Sequence, residues 1–562
     1  MQAIDTGTVN LRWCAALLAG LVEAGVEEIV ISPGSRNTPL TLAADLNPDL
    51  RCWVQIDERS AAFFALGMAK ASGKPVALQC TSGTAAANWF PAVVEASQTG
   101  IPLILLTADR PWELQQCGAN QTIDQIKLFG SQVRAFHQLS EADGADNALR
   151  RVHQLAVQVA QESLWLKPGP VQVNVPLREP LLPEETPPSL PLSGEERRGA
   201  AHSCPSPDKG RLGGVSFPPP AQLAQICDAI SGKPGLIVCG EGDYADAFPS
   251  ALMALAQTLA APVFADPLSN LRFGEHVSGH LLSRYDAFLR DVTFTGSHTP
   301  QWVLRFGTMP VSRALQQYLS GSQSPLHIVV DMQGGWSDPL FQQALMVRAS
   351  PEAFCQQLAT LNPQPAARSW LENFMQAERE NGAVLDADPR AEALIIRQML
   401  SILPEGSLLF SGNSMPIRHL DHYSGNGMKG LKIAANRGAS GIDGNISTLL
   451  GMAAVHPGKT VALLGDLTFF HDMNGLLLAK QANAVIVLLN NAGGGIFRQL
   501  SQARLEHAQF ERYWLTPTGL DFSLVAQLYG LGFERIHGAD GFAAAFDHAL
   551  EQERTCVIEV ML

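Results

Sequence analysis

Short, continuously apolar runs alternate with helix-like segments along most of the chain, and many of the runs end in Gly, Asp or Asn. Runs of that length, apolar at every position, read as strands buried on both faces, and strands alternating with helices argue for parallel α/β layers. The run at residues 26–31 leads into Ser32-Pro33-Gly34-Ser35-Arg36, the run at 76–80 into Thr81-Ser82-Gly83-Thr84, and the run at 103–107 into Ala108-Asp109-Arg110-Pro111. Ligands of doubly wound sheets gather beyond the carboxyl ends of the strands, so these loops are where a first unit would carry its chemistry.

The pattern breaks at residues 186–214, where Pro, Ser, Gly and charge dominate, as in a solvated linker. Strand-like runs resume at 236–239, 302–306 and 327–331, giving a middle unit whose loops hold fewer reactive groups, and again at 407–410, 461–464, 485–489 and 557–560. The expectation is three doubly wound parallel-sheet α/β domains, at residues 1–185, 215–365 and 366–562, with 186–214 as linker.

Composition narrows the function. Hydrophobic residues at 46% and charged residues at 16% are those of a globular chain. No apolar run approaches the roughly 18 residues of a membrane span. A net charge of −14 without a Lys/Arg block excludes an electrostatic nucleic-acid face, and it requires that any anionic substrate be met by individually placed arginines. Nine scattered cysteines with no CxxC pair suggest structural thiols rather than disulfides or zinc. Residues 1–10 lack the basic and apolar regions of a signal peptide, so a cytoplasmic location is expected.

The strongest constellation is in the third unit. Residues 459–466 read as a buried strand delivering Gly465-Asp466 to its carboxyl end, and residues 485–489 deliver Asn490-Asn491-Ala492-Gly493-Gly494-Gly495 to the same edge. A separation of 25 positions between Asp466 and Asn491 suits one crossover between adjacent parallel strands. Two oxygen donors would then converge, and Mg²⁺ takes one or two such donors together with phosphate oxygens and water. Glycines after Asn491 would let backbone groups approach a diphosphate. Either motif alone is more often a structural turn; the pairing carries the functional reading.

Gly465-Asp466 followed by Asn490-Asn491 resembles the cofactor motif of thiamine diphosphate enzymes, in which Asp, Asn and a carbonyl two residues further on bind the metal: here Asp466, Asn491 and Gly493. Leu467 stands where the wider superfamily often has a second glycine. Closer similarity, over almost the whole chain, is to the 2-succinyl-5-enolpyruvyl-6-hydroxy-3-cyclohexene-1-carboxylate synthase family of menaquinone and phylloquinone biosynthesis, which carries Leu there. It rests on Pro33-Gly34-Ser35-Arg36-Asn37-Thr38-Pro39-Leu40, Asp57-Glu58-Arg59, Thr81-Ser82-Gly83-Thr84, Thr107-Ala108-Asp109-Arg110-Pro111, residues 436–444 and Gly465-Asp466-Leu467.

That resemblance implies thiamine diphosphate with Mg²⁺, or Mn²⁺ in its place. It implies decarboxylation of 2-oxoglutarate and conjugate addition of the succinyl carbanion to isochorismate. Glu58 would hydrogen-bond the cofactor's aminopyrimidine, though an acidic residue in a helix's first turn is also simply favoured by the helix dipole. Thr81, Ser82, Gly83, Ser440, Gly441, Gly465, Leu467, Gly494 and Ile496 would line the cofactor, with Ile442 as the wedge that bends it. Asn413, Ser414, Arg418 and Arg437 would meet the carboxylate of the succinyl fragment. Ser35, Arg36, Arg110, Asn120, Gln121 and Arg313 would meet isochorismate, against an apolar wall of Ile496, Phe497 and Leu500. Arg313 stands where the family commonly has Lys, and each arginine has a surface-charge alternative. Arg418 in particular could pair with Asp421 at i+3. The family builds each site from the first unit of one subunit and the third unit of its partner, which implies a homodimer or homotetramer. Another thiamine enzyme, such as an acetolactate synthase or a simple 2-oxo acid decarboxylase, is the alternative activity, but neither calls for so many arginines. A regulatory subunit that kept the fold and lost turnover is a further alternative.

Overall fold

The structure is a computed structural model and describes residues 5–184, 217–321, 325–342 and 344–562. Three parallel sheets, each of six strands, follow one another along the chain. In the first, the spatial order is Arg51–Val54, Glu28–Ile31, Val76–Cys80, Leu103–Asp109, Val171–Pro176, Ala135–Gln138. The second runs Ala344–Val347, Leu326–Val330, Trp302–Phe306, Gly235–Cys239, Val263–Ala265, Leu281–Leu282. The third runs Lys432–Ala434, Leu408–Ser411, Thr460–Gly465, Val485–Asn490, Cys556–Met561, Gly532–His537. The expected three doubly wound units are therefore present. The expected linker at 186–214 lies outside the described residues.

Central strands such as Val76–Cys80 and Leu103–Asp109 are buried at every position, as their unbroken apolar runs require. Edge strands escaped the pattern: Arg51–Val54 is mostly exposed and Ala135–Gln138 only half-buried, so neither shows a continuous apolar run. The helix Arg368–Asp386 packs Trp370, Phe374 and Ala377 against residues of the middle sheet, and Trp370 Nε1 donates to the Gly235 carbonyl at 2.9 Å.

Two features of this framework position chemistry. Strand order reverses between Glu28–Ile31 and Val76–Cys80 in the first sheet, and between Leu408–Ser411 and Thr460–Gly465 in the third, so each has a crevice beyond those carboxyl ends. The first and third units also share one core. Helix Glu58–Ser72 crosses helix Asn445–Val455 closely enough that a Cβ on Gly67 would lie 2.0 Å from the Thr448 carbonyl oxygen, and one on Gly451 2.0 Å from that of Phe64. Only glycine allows backbones so close, and the contact ties the segment that begins at Glu58 to the helix that follows the loop 436–444.

Candidate active site

Strands Thr460–Gly465 and Val485–Asn490 pair in parallel, and beyond their ends Asp466 and Asn491 stand together as the spacing predicted. Asp466 begins a short helix and is buried, and its Oδ2 accepts the Gly493 N–H at 2.7 Å. Burial pushes its carboxyl up to about 6, against the hydrogen bond from Gly493, which favours the charged form. One terminal atom of the Asn491 amide lies 2.7 Å from the Gly493 carbonyl oxygen and 3.3 Å from Asp466 Oδ1. As nitrogen it donates to both; as oxygen it completes a cluster of three acceptors that only a cation reconciles. Neighbouring ligands of an octahedral Mg²⁺ at ~2.1 Å sit about 3 Å apart, so these separations suit one face of such an ion.

The glycine run has a further reason that the sequence did not disclose. A Cβ on Gly493, whose φ is +125°, would lie 2.0 Å from the Leu515 carbonyl oxygen, and one on Gly494 2.4 Å from that of Trp514. Packing against the segment Glu511–Leu515 therefore demands glycine here, whatever the loop binds. Ile496 and Phe497 follow in a short 3₁₀ turn and are half-buried, with Leu500 exposed just beyond it.

At the crevice of the third sheet, Ser414 holds φ +70°, a backbone strain stored at the end of Leu408–Ser411 and just before helix Met415–Tyr423. Arg418 Nη1 reaches back to the Ser414 carbonyl at 2.6 Å. Its i+3 neighbour Asp421 is taken instead by the buried Arg272, which removes the surface-pair explanation of Arg418. Burial lowers the Arg418 guanidinium's pKa, and Arg437 beside it lowers it further. Arg437 donates to Asn413 Oδ1 at 2.8 Å. Two half-buried arginines thus lie side by side with no carboxylate hydrogen-bonded to either among the described residues, an arrangement that favours an anion. Asn413 itself is buried and holds the loop, donating to the carbonyls of Asn436 and Gly441, each at 2.7 Å. On that loop Ser440 is exposed and Gly441 and Ile442 are half-buried.

The first sheet's crevice gathers most of the remaining expected residues. Thr81 Oγ1 accepts the Arg36 N–H at 3.3 Å. Ser82 Oγ donates to the Gln121 carbonyl at 3.0 Å, and Gln121 Nε2 returns a bond to the Ser82 carbonyl at 3.1 Å. Arg110 donates to Ser82 Oγ and, at 3.2 Å, to the Asn120 carbonyl. Gly83 has φ +86°, and its N–H donates to Gln125 at 3.0 Å. Ser35 is exposed at the rim. Arg36 departs from expectation: its fork is engaged by the Leu177 carbonyl at 2.8 Å and Glu179 at 2.7 Å, leaving Nε without a partner, so here it acts on Arg110 through charge.

Glu58 begins helix Glu58–Ser72, and its carboxyl makes no hydrogen bond among the described residues, while its charge reaches the buried Cys80. Its neighbours Asp57 and Arg59 bond Asn474 and the His471 carbonyl at 3.1 Å each, but no hydrogen bond joins Glu58 to Asp466, Asn491 or Arg418 within one chain. Arg313, exposed at the start of helix Arg313–Gly321, likewise makes no hydrogen bond to Arg110 or Gln121. Its approach is fixed by Val311 N–H on Asp266 at 2.8 Å and Ser312 Oγ on Asp286 at 2.7 Å. Sequence reasoning missed Lys70 and Glu95, which reach across to the loop bearing Arg437; a single charged residue late in a mostly apolar stretch of helix gave no signal of it.

The chain is similar to known proteins along nearly its whole length. Residues 12–128 match the thiamine pyrophosphate enzyme N-terminal TPP binding domain, 221–411 the middle domain and 418–560 the C-terminal TPP binding domain. A 2-succinyl-5-enolpyruvyl-6-hydroxy-3-cyclohexene-1-carboxylate synthase from Dechloromonas aromatica is 45% identical over 99% of both chains. Proteins of the same name from Geobacillus thermodenitrificans and Haloarcula marismortui are 42% and 40% identical, over 98% of this chain and 94% and 95% of their own. These matches place the chain in the 2-succinyl-5-enolpyruvyl-6-hydroxy-3-cyclohexene-1-carboxylate synthase family of thiamine diphosphate enzymes.

Proposed function

We propose that the enzyme decarboxylates 2-oxoglutarate and adds the succinyl fragment to isochorismate, in the route to menaquinone or phylloquinone. The observation that carries the choice of donor substrate is the pair Arg418 and Arg437, half-buried at the third sheet's crevice, held to the adjacent residues Ser414 and Asn413 and with no carboxylate hydrogen-bonded to either among the described residues. A 2-oxo acid ending in a methyl group would offer them no hydrogen-bonded counter-charge; the distal carboxylate of 2-oxoglutarate would.

Asp466, Asn491 and the Gly493 carbonyl are suited to hold Mg²⁺ or Mn²⁺, and through it the diphosphate. Thiamine diphosphate, when bound, supplies the electron sink that decarboxylation needs. Glu58 then holds or returns a proton at the aminopyrimidine, and Ile442 supports the bend of the cofactor. Arg110, with Ser82, Asn120 and Gln121 at one rim, is the anchor for isochorismate, with Arg313 brought in from the middle unit. Ile496, Phe497 and Leu500 keep water from the reacting carbon.

Glu58 meets the metal set in this reading across a homodimer, with a tetramer as a pair of such dimers. The exposed apolar Val54 and Ile56, at 50% and 69% exposure beside Glu58, favour burial against a partner. No described helix is long and apolar enough to cross a membrane, and a cytoplasmic location is proposed with the rest. The test is to supply 2-oxoglutarate with and without isochorismate and follow CO₂ and the ligated product. Ligation of pyruvate in preference to 2-oxoglutarate would favour the acetolactate type of activity instead.

A further inference from the structure

The loop that carries Arg437 is not held by regular structure. It leaves the short edge strand Lys432–Ala434 and runs to helix Asn445–Val455. Its place is set by side chains from elsewhere: Lys70 donates to the Ala435 carbonyl and lies 3.7 Å from Glu241, and Asn413 grips Asn436 and Gly441. A further anchor is Glu95, on helix Phe90–Thr99 of the first unit. Glu95 is 2% exposed, and its carboxylate accepts the N–H of Gly438 at 2.9 Å and that of Ala439 at 2.7 Å. No Lys or Arg within ion-pair distance neutralises it among the described residues, so its charge is met by these two loop amides. A buried carboxylate with so few donors resists any movement of the loop that would lengthen them. The approach is close from the other side too: a Cβ on Gly438 would lie 2.8 Å from Gln98 Cβ and 2.9 Å from the Glu95 carbonyl oxygen.

We propose that Glu95 is a positioning residue for Arg437: it fixes the two peptides that follow the arginine, and through them sets the enzyme's preference for a 2-oxo acid with a distal carboxylate. This rests on the substrate reading above. In a dimer built as proposed there, the first unit serves two sites, giving Glu58 to its partner's and Glu95 to its own.

Glu95→Gln tests it, because the amide keeps one acceptor and turns a donor toward the second N–H. The expected result is a KM for 2-oxoglutarate raised about 10-fold, with kcat at saturation within about 3-fold of wild type, the pattern of lost ground-state binding. The preference for 2-oxoglutarate over 2-oxobutyrate should narrow by a similar factor, while the isochorismate KM and the affinities for Mg²⁺ and thiamine diphosphate stay within about 2-fold. A folded Glu95→Gln enzyme with wild-type KM and wild-type preference overturns the proposal, as does an equal loss for both 2-oxo acids. If that variant does not fold, Gly438→Ala displaces the same loop and must narrow the preference; an unchanged preference there also overturns it. Arg418→Ala separates the two levels. Should it too leave the preference unchanged, the dicarboxylate reading fails; should it alone narrow it, only the role of Glu95 falls.

Discussion

The Asp466 carboxylate accepts the Gly493 amide N–H at 2.7 Å across 27 residues of chain, which locks the ends of two neighbouring strands into one oxygen-rich corner. In that corner the Asn491 amide and the Gly493 carbonyl oxygen lie 2.7 Å apart, so side chain and main chain are already placed around a common point.

Asp466→Asn should therefore weaken metal and cofactor binding rather than destroy the fold, because one anionic donor is lost while a hydrogen-bond acceptor for Gly493 remains. Titration with Mg²⁺ at fixed thiamine diphosphate should show affinity reduced about 10-fold or more, the scale of one lost charge-assisted contact. Unchanged affinity would put the metal elsewhere.

Arg418→Ala should lower kcat/KM for 2-oxoglutarate by roughly 30-fold or more, since truncating one member of a buried charge contact leaves the substrate carboxylate unpaired. Steady-state kinetics should find Mg²⁺ and cofactor affinities unaltered. Wild-type kcat/KM would return Arg418 to a structural role on the Ser414 carbonyl.

Much of this arrangement was legible in the chain. Asp466 and Asn491 follow unbroken apolar runs, so strand, carboxyl end and crossover spacing could all be read before any coordinates. Less legible was what depends on contacts between distant segments. Arg36 is bound by Glu179, Asp421 is claimed by Arg272, and Glu95 grips Gly438; each pair is more than 140 positions apart, beyond the reach of any local pattern. Half-polar edge strands such as Arg51–Val54 were hidden for the related reason that one side of an edge faces outward.

Subunits carrying Glu58→Gln, mixed and re-equilibrated with subunits carrying Asp466→Asn, should recover activity that neither has alone. If sites form across a dimer, each mixed dimer holds one site with both lesions and one with none. Random pairing then gives about a quarter of wild-type activity, when each lesion alone removes most of the acid–base or metal contribution. Activity no greater than the average of the two variants would mean that each site is built within one chain.

Asp472 supplies a pH test outside the site. Buried completely, it accepts from Ser447 N at 2.7 Å and Ser447 Oγ at 3.1 Å, and burial pushes its carboxyl up to about 7. A carboxyl raised on folding binds its proton more tightly in the folded than in the unfolded chain. Its contribution to stability is therefore full at low pH and is lost as pH rises through about 7. Asp472→Asn, which stays neutral, should raise the melting temperature relative to wild type at pH 8, with the difference shrinking toward pH 5. A difference that does not vary with pH would show that Asp472 does not titrate in this range.

The most direct measurement is the fate of 2-oxoglutarate itself. Purified enzyme with Mg²⁺ and thiamine diphosphate is given ¹³C-labelled 2-oxoglutarate, with and without isochorismate, and CO₂ and products are followed by NMR. Isochorismate should greatly accelerate CO₂ release, and the labelled succinyl carbons should appear in a single ligated product in equal amount. CO₂ released at the same rate in its absence, with the label recovered only as succinic semialdehyde, would contradict the proposed function.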